Sequence, residues 1–119
     1  MKSQMKHYSE PSPGLYTGRA SGRQLYLHEH ISCVHISELP GASARASCTL
    51  LGYRCDEGVR RNQGRVGAAK GPDAIRQQLG KLPYHGDDST FIYDAGNIDC
   101  INADLAAAQQ ALAECTATI

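Results

Sequence analysis

The sequence predicts an α/β protein with a parallel sheet, built in the order strand, loop, helix, strand, helix. Two short runs, residues 49–53 and 90–96, are rich in apolar, aromatic or β-branched residues and end in turn residues, which is typical of strands covered on both faces. Two longer stretches, residues 71–82 and 103–118, repeat apolar residues at helical spacing. Strands and helices that alternate in this way form parallel pairs through right-handed crossovers.

The first predicted helix has clear start and stop signals. Pro72 and Asp73 begin it, because proline loses no hydrogen bond at the first helical position and aspartate complements the positive end of the helix dipole. Gly80 and Pro83 end it in the order usual at a helix C-terminus. One face, which we expect to be buried, carries Ile75, Leu79 and Leu82.

The second predicted helix follows Asn102, whose side chain can cap the first turn. The stretch after it is rich in alanine and therefore has a high intrinsic helix propensity. We expect this helix to run from Ala103 to about Thr118. Its apolar stripe consists of Leu105, Ala108, Leu112 and Cys115.

The chain divides into an arm and an incomplete core. Residues 1–47 form a polar arm, broken by proline and glycine and mostly irregular, in which residues 24–36 form either a short helix or an irregular segment. Residues 48–119 hold two βα units, joined within the first unit by a polar loop, residues 55–70, that is longer than most connections. Because two strands do not make a stable parallel sheet, we expect the core to be truncated.

The composition argues against several classes of partner. Twelve Lys+Arg balance twelve Asp+Glu in 119 residues, and the sequence pI is 6.9, so no net charge attracts nucleic acid or an anionic membrane. The first 14 residues are polar, and no apolar run follows that could act as a signal peptide or membrane span, which predicts a cytoplasmic protein. The five cysteines include no Cys-x-x-Cys pair, so we interpret them as reduced, buried apolar residues and not as nucleophiles.

Residues 50–76, LLGYRCDEGVRRNQGRVGAAKGPDAIR, closely resemble the first strand, loop and helix of the formimidoylglutamases, a family in the arginase superfamily. The wider ureohydrolases, including arginases and agmatinases, share only the final Gly-Ala-x-x-Gly-Pro-x-Ala-Ile/Leu-Arg type of segment. Residues 15–19 and 93–96 also resemble the arm and the second strand of the family. One position departs from the family, because Asn97 stands where an acidic residue is usual.

The resemblance implies a three-layer α/β fold with a binuclear manganese site at the carboxyl ends of the strands. In the family, the ligands come from a glycine-rich segment ending in histidine and from aspartate and histidine clusters, all of which would lie beyond Ile119. The implied reaction is hydrolysis of N-formimidoyl-L-glutamate to L-glutamate and formamide, in histidine degradation. This chain would then be an inactive N-terminal fragment that contributes no catalytic and no metal-binding residue.

Four loop residues are candidates for substrate binding, namely Arg60, Arg61, Asn62 and Arg65. The glutamate moiety of the implied substrate has two carboxylates, and the planar guanidinium of arginine suits bidentate carboxylate binding. The loop also follows a parallel strand, where ligands of open α/β sheets bind. The alternative is that these arginines fix the shape of the loop or a subunit contact.

Two further groups of polar residues have a structural interpretation. His28, His30 and His35 lie close in sequence, as ligands of a zinc ion can, but on a helix they cannot all point the same way. We therefore expect them to be solvated or to bond with other protein groups. Asp56 and Glu57 are adjacent, and on an extended segment they would point to opposite sides. We therefore expect one of them to shape the loop of residues 55–70, called here the arginine loop. We do not expect the two carboxylates to form an acid/base pair.

Two other functions remain open at this stage. The chain could be a stand-alone interaction module with an arginase-like core, or a fragment of another ureohydrolase that acts on agmatine or guanidinobutyrate. Those substrates lack the two carboxylates of glutamate and would not require three arginines in the loop. As a truncated fragment, the chain is expected to self-associate through apolar faces formed by Ile75, Leu79, Leu105 and Leu112, whereas a cooperatively folded monomer would favour the stand-alone module.

Overall fold

The computed structural model describes residues 6–40 and 47–119. The expected succession of strand, loop, helix, strand and helix, and with it the α/β class, is confirmed. The parts of the predicted arm at residues 1–5 and 41–46 lie outside the described residues. The strands are β1 (Tyr8–Ser9), β2 (Ser32–Cys33), β3 (Ser47–Arg54) and β4 (Phe91–Asp99); the helices are α1 (Leu27–His30), α2 (Glu57–Arg61), α3 (Gly71–Leu79) and α4 (Leu105–Thr118).

β4 is the central strand of a mixed sheet. β3 pairs with it in parallel along one side, from Ser47 opposite Phe91 to Arg54 opposite Asp99. The arm occupies the other side, where β2 pairs in parallel with the first half of β4 and β1 pairs antiparallel with the second half. The sequence predicted the parallel pair but not β1 or β2, because strands of two residues are too short to show a periodic pattern.

β4 continues three residues beyond its predicted end at Gly96. The pairing with β3 shifts between Leu50 and Gly52, so that β4 holds one more residue than its partner in this stretch. Gly96 has a φ of 97°, which favours glycine. The sequence Ala95-Gly96, which by itself predicts a turn at the end of the strand, is therefore a β-bulge within it.

The two long helices lie against opposite faces of β4. Ala95 and Ile98 belong to an apolar cluster with Ala111 and Cys115 of α4. Alternate residues of a strand point to opposite faces, and on the other face Asp94 and Asn97 contact α3 through Arg76. Of the predicted stripe of α4, Ala108 and Cys115 are buried and the two leucines are partly buried, while Ala111, which the stripe did not include, is buried as well.

The start of α4 differs from the prediction. Its N-cap is Asp104, whose side chain accepts a hydrogen bond from the backbone N–H of Ala107 at 3.1 Å. Asn102 and Ala103 have left-handed φ values of 54° and 57°, so they form the preceding turn and not the cap. An aspartate two residues later offers the same type of acceptor, which is why the sequence could not fix the cap position.

The prediction that α3 buries its apolar stripe is wrong for two of three residues. Ile75 is 66% exposed and Leu82 is 53% exposed, whereas Arg76 on the inner side of the helix is only 4% exposed. Arg76 is turned inward because its bonding partners lie on β4. Self-association of the chain stays a prediction, and the exposed Ile75 belongs to the surface proposed for it.

A buried polar network joins α3, β4 and the arm. Arg76 forms an ion pair with Asp94 (Nε to Oδ2, 2.8 Å) and donates to the Gly96 carbonyl oxygen at 2.8 Å. Its Nη1 also donates to Asn97 Oδ1 at 2.5 Å. The hydroxyl of Tyr16 donates to Asp94, and burial followed by this bond raises the pKa of Tyr16. The network therefore fixes the position of the arm on the sheet.

Asn97, which stands where the resemblance implies a carboxylate, is bonded to Arg76. Its amide oxygen accepts from Arg76, whose charge is balanced by Asp94. Asp99 is the nearby carboxylate, but it accepts hydrogen bonds from Arg54 at 2.6 and 3.0 Å. It therefore does not take the place of a carboxylate at position 97. A Cβ on Gly52 would overlap the Asn97 amide, so glycine is required where the network passes β3.

None of the helices in the described ranges is long and apolar enough to span a bilayer.

Candidate functional site

The candidate site is the rim formed by the segments that follow β3 and β4. Because the two strands are parallel, both end at the same edge of the sheet. Residues 55–70 follow β3, and residues 100–104 follow β4 and lead into α4. All four candidate substrate-binding residues lie in the first of these segments.

The arginine loop has more regular structure than the sequence predicted. It contains the helix α2 and a 3-10 turn at Ala68–Lys70. The carboxylate of Glu57 is only 5% exposed and accepts from Arg60 Nε at 2.7 Å and from Arg61 Nε at 2.6 Å. Ion pairs between residues three and four apart stabilise a helical turn. The spacing of Glu57, Arg60 and Arg61 was the available signal, and it was missed because the segment is polar throughout.

Asp56 holds the far end of the same loop. Its Oδ1 accepts hydrogen bonds from the backbone N–H of Gly67 at 3.1 Å and of Ala69 at 2.8 Å. The expectation that an acidic residue shapes the loop is confirmed, and both members of the adjacent pair do so. Asp56 and Glu57 are occupied by different partners and do not form an acid/base pair.

The loop arginines differ in how far they are engaged. Arg60 and Arg61 share Glu57, although more than half of each side chain is exposed. Arg61 Nη2 also donates to the Ala103 carbonyl oxygen at 3.1 Å, which links the two rim segments. Arg65 is exposed and bonds to no other residue among those the structure describes. Of the three guanidiniums, that of Arg65 is the most available to a ligand.

Asn62 ends α2, and its backbone N–H donates to the Gly58 carbonyl oxygen at 3.2 Å. Its side chain is exposed next to the arginines. The four candidate residues are therefore together on one loop, on the outside of the rim. Their role in substrate binding stays a prediction.

Glu57 is expected to make the chain sensitive to acid. Hydrogen bonds from Arg60 and then from Arg61 lower its pKa from 4.5 to about 2. A carboxyl group whose pKa is lower in the folded state than in the unfolded state stabilises the fold at pH values above its unfolded-state pKa. This contribution is lost as the pH falls from 4.5 towards 2. We expect Glu57→Gln to flatten the pH dependence of the free energy of unfolding in this window.

The measurement is denaturant unfolding of both proteins between pH 2 and 5. The matched control is Glu38→Gln, which removes an exposed carboxylate of the arm. If Glu57→Gln and the control lose the same amount of acid dependence, the ion pairs of Glu57 do not stabilise the loop.

The histidines of the arm are bonded to other protein groups, as expected. His28 Nε2 donates to the Arg19 carbonyl oxygen at 2.8 Å, and His30 Nε2 donates to that of Thr90 at 2.9 Å. His35 Nδ1 accepts from the backbone N–H of Ser37 at 3.1 Å. Within residues 6–40 and 47–119, no group of three or more histidine, cysteine, aspartate or glutamate side chains could hold a metal ion.

The cysteines agree only partly with their interpretation as buried apolar residues. All five are free thiols, and Cys55 and Cys115 are buried. Cys33 and Cys100 are partly buried, but Cys48 is exposed. Cys48 lies near the start of β3, where a strand has not yet entered the core.

Comparison with known proteins assigns the chain to a family. A model of the arginase family matches residues 46–119, which covers the two βα units and the whole rim. The chain belongs to the arginase family.

The relatives narrow the comparison further. A formimidoylglutamase of Geobacillus kaustophilus is 36% identical over 116 residues, which cover 94% of this chain and 36% of the relative. One of Chromobacterium violaceum is 45% identical over 109 residues, covering 88% of this chain and 33% of the relative. One of Cupriavidus pinatubonensis is 61% identical over 67 residues, 56% of this chain and 21% of the relative. The chain thus spans about a third of the length of the relatives that it matches along most of its own length.

Proposed function

We propose that this chain is the N-terminal part of a formimidoylglutamase, which hydrolyses N-formimidoyl-L-glutamate to L-glutamate and formamide in the cytoplasm during histidine degradation. The observation that supports it most is the extent of the matches. The arginase model begins at residue 46, but the relatives called formimidoylglutamase match up to 94% of the chain and therefore include much of the arm. The likeness extends beyond what the wider family shares.

Manganese, in this proposal, is bound by residues of the parent protein outside this chain. The described residues do not fit such a site, because they bring no three metal-binding side chains together. We therefore assign no step of the hydrolysis to this chain. By itself the chain is expected to be inactive.

The contribution of this chain to the parent is the binding of the glutamate end of the substrate. Arg65 offers a guanidinium that has no partner among residues 6–40 and 47–119, and Arg60 and Arg61 add positive charge held in place by Glu57. A charged donor bonded to a carboxylate is among the stronger hydrogen bonds in proteins. A loop whose arginines are already held in place loses less side-chain freedom when the substrate binds.

The test is an assay of the parent protein, composed of this chain and the remainder of the enzyme. With manganese added, we expect it to release formamide from N-formimidoyl-L-glutamate and to leave agmatine and 4-guanidinobutyrate unchanged. The chain alone is the matched control and should release nothing. Hydrolysis of agmatine or 4-guanidinobutyrate in preference to formimidoylglutamate would instead support another ureohydrolase.

A further inference from the structure

Cys55 and Cys100 lie side by side, one residue beyond the ends of β3 and β4. Arg54 is paired with Asp99 in the parallel ladder, and the backbone N–H of Cys100 donates to the Arg54 carbonyl oxygen at 3.2 Å. Neighbouring strands are about 4.8 Å apart, and paired residues of parallel strands point to the same face. This spacing falls within the range of about 4.4–6.8 Å between the Cα atoms of disulfide-bonded cysteines.

A tyrosine hydroxyl completes this group, which we call the thiol cluster (Tyr53, Cys55 and Cys100). Tyr53 lies two residues before Cys55 and so points to the same face of β3. Its hydroxyl is buried and has no well-formed hydrogen bond within the described residues. Burial, followed by the neighbouring Cys55 thiol, raises the pKa of Tyr53 to about 12, so the hydroxyl stays protonated and can donate to a thiolate.

The two thiols are placed in different electrostatic surroundings. Burial alone would raise the pKa of Cys55, but the Tyr53 hydroxyl, the backbone N–H groups of Glu57 and Gly58, and the Cys100 thiol together lower it below its usual value. Burial, and then the proximity of Cys55, raises the pKa of Cys100. Cys55 is therefore the thiol that ionises first, and Cys100 keeps its proton beside it.

We propose that Cys55 and Cys100 are a redox modification site, at which hydrogen peroxide oxidises Cys55 and Cys100 resolves the product into a disulfide. The Cys55 thiolate attacks one oxygen of the peroxide, the O–O bond breaks and hydroxide leaves, which forms a sulfenic acid. The Cys100 sulfur then attacks the Cys55 sulfur, the S–O bond breaks, and the departing hydroxide takes the Cys100 proton as water. Two thiols and one peroxide thus give one disulfide and two waters.

The disulfide would connect the two segments of the rim. Cys55 directly precedes Asp56 and Glu57, which shape the arginine loop. Cys100 begins the segment whose Ala103 carbonyl oxygen accepts from Arg61. A covalent link at this point holds the two segments together at their base, so the oxidation state of the pair controls the freedom of the loop. This redox chemistry does not depend on the substrate of the parent protein.

The experiment uses the 119-residue chain and hydrogen peroxide in stoichiometric amount. After oxidation, the remaining thiols are blocked with N-ethylmaleimide, and the digested chain is mapped by mass spectrometry without reduction. We expect a peptide pair joined through Cys55 and Cys100, lost after treatment with dithiothreitol, while Cys48 is recovered in the alkylated form. Oxidation of the exposed Cys48 with Cys55 and Cys100 still reduced would overturn the proposal.

Variants separate the roles within the thiol cluster. Cys48→Ser is the matched control and should form the same link. Cys100→Ser should lose the link and let dimedone label Cys55 as a sulfenic acid. Tyr53→Phe removes only the hydroxyl and should slow the formation of the link. If dimedone does not label Cys55 in Cys100→Ser, Cys55 is not the thiol that peroxide attacks.

Discussion

Replacing Arg76 by methionine is expected to lower the free energy of unfolding by about 3–5 kcal/mol, which is the usual cost of breaking a buried ion pair from one side. Asp94 is 0% exposed and pairs with Arg76 at 2.8 Å, so the substitution leaves a carboxylate in the core without its cation. The Gly96 carbonyl oxygen and the Asn97 amide lose their donor as well. Methionine has nearly the length of the arginine stem, so the main loss is electrostatic.

Denaturant unfolding at neutral pH measures this effect. The matched control is Arg23→Met, which changes an exposed arginine of the arm and should stay within about 0.5 kcal/mol of the unaltered chain. If Arg76→Met loses its cooperative unfolding transition while Arg23→Met keeps it, this also counts as the expected result. If both variants unfold alike, Asp94 is satisfied by Tyr16 and the backbone, and the ion pair does not stabilise the chain.

The second large effect concerns substrate affinity in the parent enzyme and rests on the proposed function. Arg65→Ala is expected to raise KM for N-formimidoyl-L-glutamate by about tenfold to a hundredfold, since a lost charge-assisted hydrogen bond costs about 1.5–3 kcal/mol. Because the contact is to the distal carboxylates and not to the reacting carbon, kcat should change little. Arg60→Ala and Arg61→Ala should have smaller effects on KM, because these side chains already bond to Glu57.

Steady-state kinetics of the three variants, at equal manganese content, decide between binding and scaffolding. The control is Arg23→Ala, in the arm and away from the rim. An Arg65→Lys variant should recover part of the affinity, because it keeps the charge but loses the bidentate geometry. Unchanged KM in all three alanine variants would mean that the arginines only shape the loop.

The two long strands, β3 and β4, and the two long helices, α3 and α4, could be predicted from local patterns. The apolar run at 49–53 lies within β3, and the start signals at Pro72 and Asp73 mark α3 within one residue. The prediction was less accurate where one local pattern has two outcomes. Ala95 and Gly96 form a turn sequence in isolation but a bulge within a strand that has partners on both sides.

The position of the candidate site in one loop could also be predicted from the sequence, since the four candidate residues lie close together in the chain, although the helix α2 within the loop could not. The spacing of Glu57, Arg60 and Arg61 indicates their ion pairs, but no local pattern indicates that Arg65 is left exposed. Arg60 and Arg61 are engaged by Glu57, whereas Arg65 has no partner in the described part of the chain. The difference depends on how the loop folds back through Asp56 to Gly67 and Ala69.

The sequence by itself determined the order of the elements, the α/β class and the resemblance to the formimidoylglutamases, because periodicity, caps and a contiguous motif are all local. Only the tertiary structure decided that Arg76 points inward, that the arm pairs with β4, and that Cys55 meets Cys100. The physical reason is that parallel pairing of β3 with β4 brings together residues far apart in the chain. A buried charge or thiol is defined by those distant partners, which no short stretch of sequence contains.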